Sequence, residues 1–487
     1  MRDREDEMRT EERCFQRILC LYPPYEQKAD FIMGLPYIAS YLKKAGFLNV
    51  FGFDAPATGG SYEDVIRFIR KFDIDTVLMS VPFTPWTDSA VTMLRKLKKL
   101  NVNVIVGGIM PTLMPELFVS DADAVVVGEG EKILPMLLRN PAHKGIIHGE
   151  TLAIDELPLP AWDLFPIERY DLKLLWTSEK AMPVLVSRGC PFNCDFCSNW
   201  FLTNRTVRYR KPESVVEEIE RYIQHYGVST FELHAENFTL NRKFVIDFCQ
   251  RIIDKRLRIK WWAQTRANLV DDEILQLMRR AGCVMLSFGV ESGSLSIRTE
   301  MDKNVSDNEF CRGVSLVRKN GILCYCGFIV GHRLETIDTI KKTMLMAHNL
   351  DPDYIGVQIA TPYPKTRLRQ MIEDSQIVAK HWSDYLTSKT TFIPKGMIGK
   401  NPETIRDIVF LDFYSRKLAR MRNLWQYSRT YFLVYSPTIF SLFFIHKFYA
   451  GALIQDWLLW LPNIIKEVGD KIEQNRILAW AVDKLRK

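Results

Sequence analysis

The chain has 487 residues, of which 47% are hydrophobic and 25% are charged, and its formal net charge is +7. That length is too great for one compact core and predicts roughly two to four domains. The composition is that of a globular protein. The sequence has no dense Lys/Arg runs with interleaved aromatic residues, which are typical of a nucleic-acid-binding surface. Its positive net charge is still compatible with an anionic partner such as a phosphate or a membrane surface.

The N-terminal sequence, MRDREDEMRTEER, is charged and has no apolar segment of the kind that a secretory signal requires. We therefore expect a cytoplasmic protein with reduced thiols. Seven of the ten cysteines lie scattered in apolar segments, where a small buried hydrophobic side chain is the default interpretation. They are Cys14, Cys20, Cys249, Cys283, Cys311, Cys324 and Cys326.

Residues 14–140 alternate short β-rich runs with amphipathic helices. Nearly continuous runs of Val and Ile in such an alternation are typical of a parallel sheet that is covered on both faces. The pattern predicts a Rossmann-like, doubly wound α/β domain of five strands. The five runs are FQRILCLY, NVFGFDA, TVLMSV, VNVIVGG and ADAVVVGEG.

Residues 141–180 lose this rhythm, and their proline-rich stretch DELPLPAWDLFPIERY predicts an extended linker over the surface. A second alternating series occupies residues 181–395. It contains six predicted strands with helices between them, which indicates a partial (β/α)6 barrel of the TIM type. The loops at the carboxyl ends of its strands would carry the chemistry.

Residues 396–487 are predicted to form a helical C-terminal domain. Within them the run YFLVYSPTIFSLFFI, residues 431–445, is shorter than the roughly 20 apolar residues that span a bilayer and is interrupted by Pro437. A buried helical cap is the favoured interpretation, with interfacial membrane contact and a transmembrane helix as alternatives. Its aromatic residues permit a hydrophobic substrate, but any helical cap would bury them too. They are Trp425, Tyr431, Phe432, Phe440, Phe443, Phe444, Trp457 and Trp460.

Three cysteines stand close together in SRGCPFNCDFCS, residues 187–198, directly after the first predicted barrel strand. A structural zinc site usually takes four ligands, and no second CxxC or HxxxH pair follows. The polar residues around these three cysteines argue against a purely structural role as buried thiols. Three thiolates on an iron–sulfur cubane would instead leave one iron with an open coordination position, and that iron can bind a substrate.

This CxxxCxΦC loop, with Phe196 before its last ligand, resembles the signature of the radical S-adenosylmethionine (SAM) superfamily. The resemblance implies that Cys190, Cys194 and Cys197 hold a [4Fe–4S] cluster and that Phe196 is among the residues that bind SAM. In that superfamily the open iron chelates the methionine part of SAM, and one electron from the cluster cleaves the sulfonium to a 5′-deoxyadenosyl radical.

Further motifs follow in the superfamily's order. GVESG, residues 289–293, resembles the end of its fourth strand, where Glu291 and Ser292 would bind SAM. GFIVGHRLET, residues 327–336, resembles GFIFGLPGET, with His-Arg-Leu in place of Leu-Pro-Gly. TPYPKT, residues 361–366, resembles TPYPGT with lysine in place of glycine.

Polar residues near the second and third barrel strands add SAM-binding candidates. In HAENFT, Glu236 occupies a position of the acidic pair of many relatives and would bind the methionine ammonium or a substrate group; an exposed acid at a helix start is the alternative. Arg266 matches a recurrent third-strand arginine that could pair with a carboxylate, and a surface ion pair is the alternative. His234 is a weak substrate-side candidate.

The N-terminal sheet and the following DELPLPAWDLFP resemble the cobalamin-binding half of cobalamin-dependent radical SAM enzymes. Ligands of an open α/β sheet lie outside the carboxyl ends of its strands, where glycines permit close backbone approach. The glycines could also serve only as tight turns. The predicted cobalamin-binding residues are Ser80, Gly107, Gly108, Gly128, Glu129 and Gly130.

Cobalamin carriers that ligate cobalt through a histidine use D-x-H-x-x-G after the first strand. The corresponding loop here, YPPYEQKADFIMG, contains no histidine. The near-match DAPATG, residues 54–59, follows the second strand and has proline at the histidine position. The lower face of cobalt is therefore predicted to lack a protein histidine, as is common in the radical subgroup.

The resemblance implies three cofactors: the cluster, SAM and cobalamin. Methyl transfer to an unactivated carbon is the favoured reaction, and oxidative cyclisation or ring rearrangement, as in the anaerobic magnesium-protoporphyrin ester cyclases, is the alternative. A non-catalytic cobalamin sensor is a second alternative. The expected partners are a small-molecule substrate and a flavodoxin- or ferredoxin-type electron donor, with the difficult chemistry carried by the cofactors.

Overall fold

The computed structural model describes residues 16–26, 32–170, 172–173 and 179–420. The chain divides into two compact units, of which the first comprises residues 1–174 and 178–406 and holds both sheets. The second comprises residues 175–177 and 407–487. Of the second unit, residues 407–420 are described, and they are helical.

A six-stranded parallel sheet forms the N-terminal part, in the order β2-β1-β3-β4-β5-β6. Its strands are β1 (Arg17–Tyr22), β2 (Asn49–Asp54), β3 (Thr76–Ser80), β4 (Asn103–Gly107), β5 (Ala124–Val127) and β6 (Gly145–His148). Its helices are α1 (Gly34–Lys44), α2 (Ala55–Thr58), α3 (Tyr62–Lys71), α4 (Thr87–Leu97), α5 (Ile109–Leu113) and α6 (Ile133–Arg139).

The sixth strand corrects the five-strand prediction, because it lies in the segment that the sequence assigned to the linker. Its residues GIIH alternate between half-buried and exposed positions. A half-exposed edge strand does not require the continuous apolar run by which buried parallel strands are recognised. The Val/Ile criterion therefore missed it.

Part of the predicted linker, in the proline-rich stretch that the structure describes, packs into the protein instead of lying over its surface. Trp162 and Phe165 are almost wholly buried. At Gly52 in β2 a Cβ atom would meet the carbonyl oxygen of Leu164. The proline-rich chain thus runs directly against the edge strand of the first sheet.

The second sheet is the six-stranded partial barrel that the sequence predicts, and it is wholly parallel, in the order β14-β13-β12-β11-β10-β7. Its strands are β7 (Met182–Leu185), β10 (Thr230–His234), β11 (Lys260–Thr265), β12 (Cys283–Glu291), β13 (Leu323–Val330) and β14 (Tyr354–Ile359). Strands β8 (Ser187–Arg188) and β9 (Arg208–Tyr209) form a separate antiparallel ribbon.

Helices alternate with the barrel strands, and one longer helix follows them. They are α7 (Asn199–Thr203), α8 (Pro212–Tyr226), α9 (Arg242–Asp254), α10 (Asp272–Arg280), α11 (Leu295–Glu300), α12 (Asp307–Lys319), α13 (Ile337–Leu350), α14 (Arg367–Met371) and α15 (Pro402–Arg420).

A buried polar network joins the two sheets. Glu218 on α8 is fully buried, pairs with Arg210, and accepts a hydrogen bond from Tyr222 at 2.6 Å. Tyr37 of α1 reaches the same carboxylate at 3.4 Å, and Trp162 donates to the Tyr222 hydroxyl at 2.9 Å. Because buried charges are costly unless they are paired, this network fixes one docking of α1 and the linker on the barrel.

Five of the seven scattered cysteines are buried as predicted: Cys20, Cys249, Cys283, Cys324 and Cys326. Cys311 is exposed, which corrects its interpretation as a buried hydrophobic residue, and Cys14 lies outside the described residues. No helix among the described residues is long and apolar enough to cross a membrane. The aromatic run 431–445 and all eight aromatic cap residues also lie outside the described part of the chain.

Candidate active site

The three motif cysteines lie on one loop that leaves the β8–β9 ribbon. Asn237 donates from Nδ2 to the sulfur of Cys190 at 3.2 Å, and the backbone N–H of Asn199 points to that of Cys197 at 3.5 Å. Within the described residues, no three His, Cys, Asp or Glu side chains surround a point that could hold a single metal ion. A cubane binds its three thiolates on separate irons, so its ligands need not converge on one point, and thiols with N–H donors aimed at their sulfurs fit such a cluster.

In the protein without a bound cluster, the environment of this loop disfavours the ionised form of the three thiols. Burial raises the pKa of all three thiols, that of Cys197 to about 11. The cations of Lys303 and Arg266 act in the opposite direction on the pKa of Cys194. Thiols must lose their protons to bind metal, so cluster binding displaces protons and is supported by these two cations.

A fully buried pair holds the middle of the cysteine loop. Asp195, between the second and third cysteines, meets His332 Nε2 through its Oδ2 at 2.9 Å, and both side chains have no exposed surface. Its backbone N–H donates to the carbonyl of Met301 at 3.1 Å, and its carbonyl accepts from Leu368 at 2.9 Å. The loop is thereby fastened to the turn that follows β13 and to the start of α14.

Beside the cysteines, a cavity of about 420 Å³ opens at the carboxyl ends of the barrel strands. It is lined by all three cysteines and by four predicted SAM-binding residues, namely Phe196, Glu236, Arg266 and Glu291. The tertiary structure thus brings together side chains that lie up to 101 positions apart in the sequence, from Cys190 to Glu291.

Two cationic side chains and a glutamate with a strained backbone conformation form part of the wall of this cavity. The Arg266 guanidinium lies 3.8 Å from the centre of the Phe192 ring and donates to the carbonyl of Lys303. Lys303 Nζ pairs with Glu291 Oε1 at 2.8 Å. Glu291 has φ of +69° at an irregularity in the β12–β13 pairing. A non-glycine residue held there is a form of backbone strain that clusters at functional sites.

Two predicted residues do not reach the cavity. Ser292 is fully buried, accepts from the N–H of Ser294 at 3.1 Å and contacts the Thr343 hydroxyl at 3.3 Å. The turn after β12 directs it toward α13, so the structure does not bring it to the cavity with the other predicted SAM-binding residues. His234, the substrate-side candidate, pairs with Glu232 at 3.1 Å and is also absent from the cavity lining.

A second cavity, of about 410 Å³, lies at the carboxyl ends of the N-terminal strands. Ser80, Gly107, Gly108, Gly128, Glu129 and Gly130 all line it. At Gly108, which has φ of +107°, a Cβ would lie 2.9 Å from the Val81 carbonyl oxygen. Half of the other lining residues are leucine, isoleucine or valine. This broad, mainly apolar cradle with glycines at its rim fits a large flat cofactor such as cobalamin.

The carboxylate of Glu129 is already engaged, although its residue lines that cavity. It pairs with Arg208 and with Arg188, the latter at 3.2 Å, and accepts from the N–H of Leu152 at 3.0 Å. Burial opposes ionisation, but hydrogen bonding from Arg208 and the charge of Arg188 outweigh it and lower the pKa of Glu129. Only the Glu129 backbone remains to face a cofactor, so its side chain is a link between the cavity rim and the barrel.

Two polar residues line both cavities. Asn199 donates from Nδ2 to Glu236 Oε1 at 2.8 Å, and both residues border the two spaces. Glu236 Oε2 is buried without a hydrogen-bond partner among the described residues. A buried carboxylate oxygen is costly when unpaired, which marks it as a binding position for a donor group.

Sequence reasoning missed several contributors to the site: Lys303, Asn199, Asn237 and Arg188. Lys303 lies in MDKNVSD between two helices, and no local pattern distinguishes it from a surface lysine. Asn199 and Arg188 flank the cysteine motif directly. Proximity to that motif is the one signal that could have identified them.

Comparison with known proteins agrees with this geometry. Residues 184–347 match the radical SAM superfamily model, and residues 32–138 match that of the B12 binding domain. An uncharacterized methyltransferase of Pyrococcus horikoshii is 29% identical over 446 residues, which cover 84% of this chain and 95% of that protein. The anaerobic magnesium-protoporphyrin IX monomethyl ester cyclase of Rubrivivax gelatinosus is 30% identical over 393 residues, covering 74% of this chain and 70% of the cyclase.

Solved structures show the same fold at low sequence identity. The radical SAM methyltransferase TsrM of Kitasatospora setae, solved with cobalamin and a [4Fe–4S] cluster, has a TM-score of 0.65 at 16% identity, covering 85% of this chain and 98% of TsrM. The cobalamin-dependent radical SAM enzyme OxsB, solved with aqua-cobalamin and SAM, has a TM-score of 0.72 at 17% identity, covering 96% and 81%.

The protein is therefore a radical SAM enzyme. Within that superfamily it belongs to the family whose members carry a B12-binding domain in front of the barrel. The expected fold class, enzyme class and cofactors, namely a [4Fe–4S] cluster, SAM and cobalamin, are confirmed for the family.

Proposed function

We propose that this enzyme is a C-methyltransferase that acts on an unactivated carbon of a small-molecule substrate. The observation that carries this proposal is that the two cavities adjoin at Asn199 and Glu236. When bound, the cofactors supply a 5′-deoxyadenosyl radical on one side of that junction and a transferable methyl group on the other. A substrate at the junction would be within reach of both.

The role of the protein's own residues is to bind and position the cluster and SAM. Cys190, Cys194 and Cys197 would hold the cluster, and Asn237 would donate to the sulfur of the first. Glu236 Oε2 would accept from the SAM ammonium, and Arg266, fixed against Phe192, would face a carboxylate.

The glycines after β4 and β5 would let the corrin approach the backbone, with Ser80 at the end of β3 beside its nucleotide tail. A flavodoxin- or ferredoxin-type protein would deliver the electron that this chemistry requires.

Oxidative cyclisation is the second candidate reaction, and the 30% identity to two anaerobic magnesium-protoporphyrin ester cyclases favours it. Both reactions use the same cofactors and the same hydrogen abstraction. They differ in whether a methyl group from SAM ends up in the product.

Methyl-labelled SAM distinguishes the two reactions. The anaerobically reconstituted enzyme, with cobalamin, reductant and fractionated metabolites, is expected to form 5′-deoxyadenosine together with a labelled product. Cys194→Ala should abolish both products, whereas the exposed Cys311→Ala should leave both unchanged. 5′-Deoxyadenosine formed beside an unlabelled product would contradict methyl transfer and support cyclisation.

A further inference from the structure

The inner face of the barrel is accessible, whereas the outer face is closed. Leu233, Ala263, Leu286 and Cys324 lie side by side in register on four adjacent strands and are all buried. On the opposite face, Gln264, Ser287 and Tyr325 are also in register. Of these three, Ser287 and Tyr325 are half-buried and Gln264 is exposed, and all of them line the cavity. A closed eight-stranded barrel fills this space with branched apolar side chains, so the open interior here is a chamber.

Three glycines widen the chamber just above that row. Gly289, Gly327 and Gly356 stand opposite one another on β12, β13 and β14. At Gly356 a Cβ would collide with the hydroxyl of Tyr325, whose ring therefore lies across this strand. These glycines leave room between the carboxyl-end residues that are expected to bind SAM and the row of polar side chains beneath them.

The polar side chains beneath the carboxyl-end residues are neutral, and the charged groups above them are either paired or expected to bind SAM. Lys303 pairs with Glu291, and Arg266, which contacts Phe192 and a backbone carbonyl, is expected to face the SAM carboxylate. At the margin, His234 is paired with Glu232. Among the described residues, the Gln264 amide has no hydrogen-bond partner, and it offers both donors and an acceptor to a ligand.

We infer that this chamber binds a neutral polar part of the substrate, one that carries amide or hydroxyl groups, and that it recognises this part through Gln264, Ser287 and Tyr325. This inference rests on the proposed function, since it names the substrate class of that enzyme. An apolar chain would cover the Gln264 amide without satisfying it, which costs roughly ten-fold or more in binding. A polyanion would find Lys303 paired with Glu291 and would compete with SAM for Arg266. A macrocycle such as a magnesium-protoporphyrin ester presents few amide or hydroxyl groups to these side chains and is the alternative occupant.

Binding of defined probes tests this inference. The full-length enzyme with cluster, SAM and cobalamin, but without reductant, would be titrated by ligand-detected NMR with N-acetylglycinamide, geraniol and magnesium-protoporphyrin monomethyl ester. We expect saturable binding of N-acetylglycinamide alone. Gln264→Leu should weaken it roughly ten-fold, and Ser287→Ala should weaken it less.

The matched control is Gln250→Leu, which changes an exposed glutamine on α9 that pairs with Asp254 and should leave binding unaltered. The inference is overturned if N-acetylglycinamide shows no saturable binding, if geraniol or the porphyrin binds more tightly, or if Gln264→Leu and Ser287→Ala both leave the affinity unchanged. Because no reductant is present, the result is independent of methyl transfer. A protein that binds the amide but transfers no label would contradict the proposed reaction only.

Discussion

His332 shows how one residue can depart from a family motif and acquire a local partner. The related motif GFIFGLPGET carries leucine where this chain has histidine. The histidine ring reaches Asp195 in the cysteine loop, and neither side chain is accessible to water. Because a buried polar group left without its partner is costly, His332 and Asp195 depend on each other for their stability.

Glu335, three residues further along, gives a prediction about pH. Burial raises its pKa to about 7, although hydrogen bonds from Thr339 and the backbone act against this shift. A carboxyl whose pKa is higher in the folded than in the unfolded chain stabilises the fold below its unfolded pKa of 4.5, and that contribution is lost as pH rises through 7. The difference amounts to about 3 kcal/mol at most.

Glu335→Gln should therefore remove part of the pH dependence of stability. We expect the wild-type thermal midpoint to fall more than that of the variant between pH 5.5 and pH 8. Other titrating groups are common to the two proteins, so the comparison isolates Glu335. Parallel midpoints across this range would show that the carboxyl does not titrate there.

At the scale of elements, the β8–β9 ribbon sets the path of the cysteine loop. Gly189 follows β8 with φ of +104°, and a Cβ at this position would collide with the carbonyl oxygen of Thr206. Because that oxygen belongs to the backbone just before β9, it cannot move aside without opening the ribbon. The loop can begin where it does only because residue 189 has no side chain.

Gly189→Ala should accordingly lower the iron and sulfide content of the reconstituted protein several-fold. Gly46→Ala is the matched control, since Gly46 has a similar φ of +95° but nothing within 4 Å of its Cβ position. Both variants carry backbone strain, and only the first adds a collision. Equal cluster content in the two variants would mean that the collision is relieved elsewhere.

At the scale of the whole molecule, charged side chains connect the cobalamin cavity to the cluster loop. Glu129 and Glu131 follow β5, and both contact Arg188, which stands two residues before the first cluster cysteine. Arg208, on the neighbouring strand of the ribbon, completes the link to Glu129. The network thus couples the position of one cofactor site to that of the other.

Glu129→Gln should disturb this coupling while both sites persist. Because small misplacements of reacting groups are costly, we expect methylated product per 5′-deoxyadenosine to fall roughly ten-fold. Cobalamin absorbance and cluster content should stay near the wild-type values. Glu63→Gln, which removes an exposed carboxylate that pairs with Lys96, is the control. An unchanged ratio of methylated product to 5′-deoxyadenosine would show that the network has only a structural role and does not couple the two sites.

Much of this protein follows from local sequence patterns. The spacing of Cys190, Cys194 and Cys197 predicts the cluster loop, and the alternation of apolar runs with amphipathic helices predicts both parallel sheets. These features are determined by neighbouring residues, since side-chain periodicity and motif spacing are properties of a short stretch of chain. The half-exposed strand β6 was not predicted, because an incompletely buried strand lacks the continuous apolar run by which the other strands were recognised.

Other features depend on residues that are distant in sequence and were decided only by the tertiary structure. Lys303 lies in the cavity wall because it contacts Glu291 and its carbonyl accepts from Arg266, and Ser292 lies away from the cavity because the turn after β12 directs it toward Thr343. The carboxylate of Glu129 was taken by arginines 59 and 79 positions away. The sequence by itself determined the cofactor chemistry and the two-sheet architecture. Only packing decided which polar groups remain free to bind, because a side chain's availability depends on its neighbours in space.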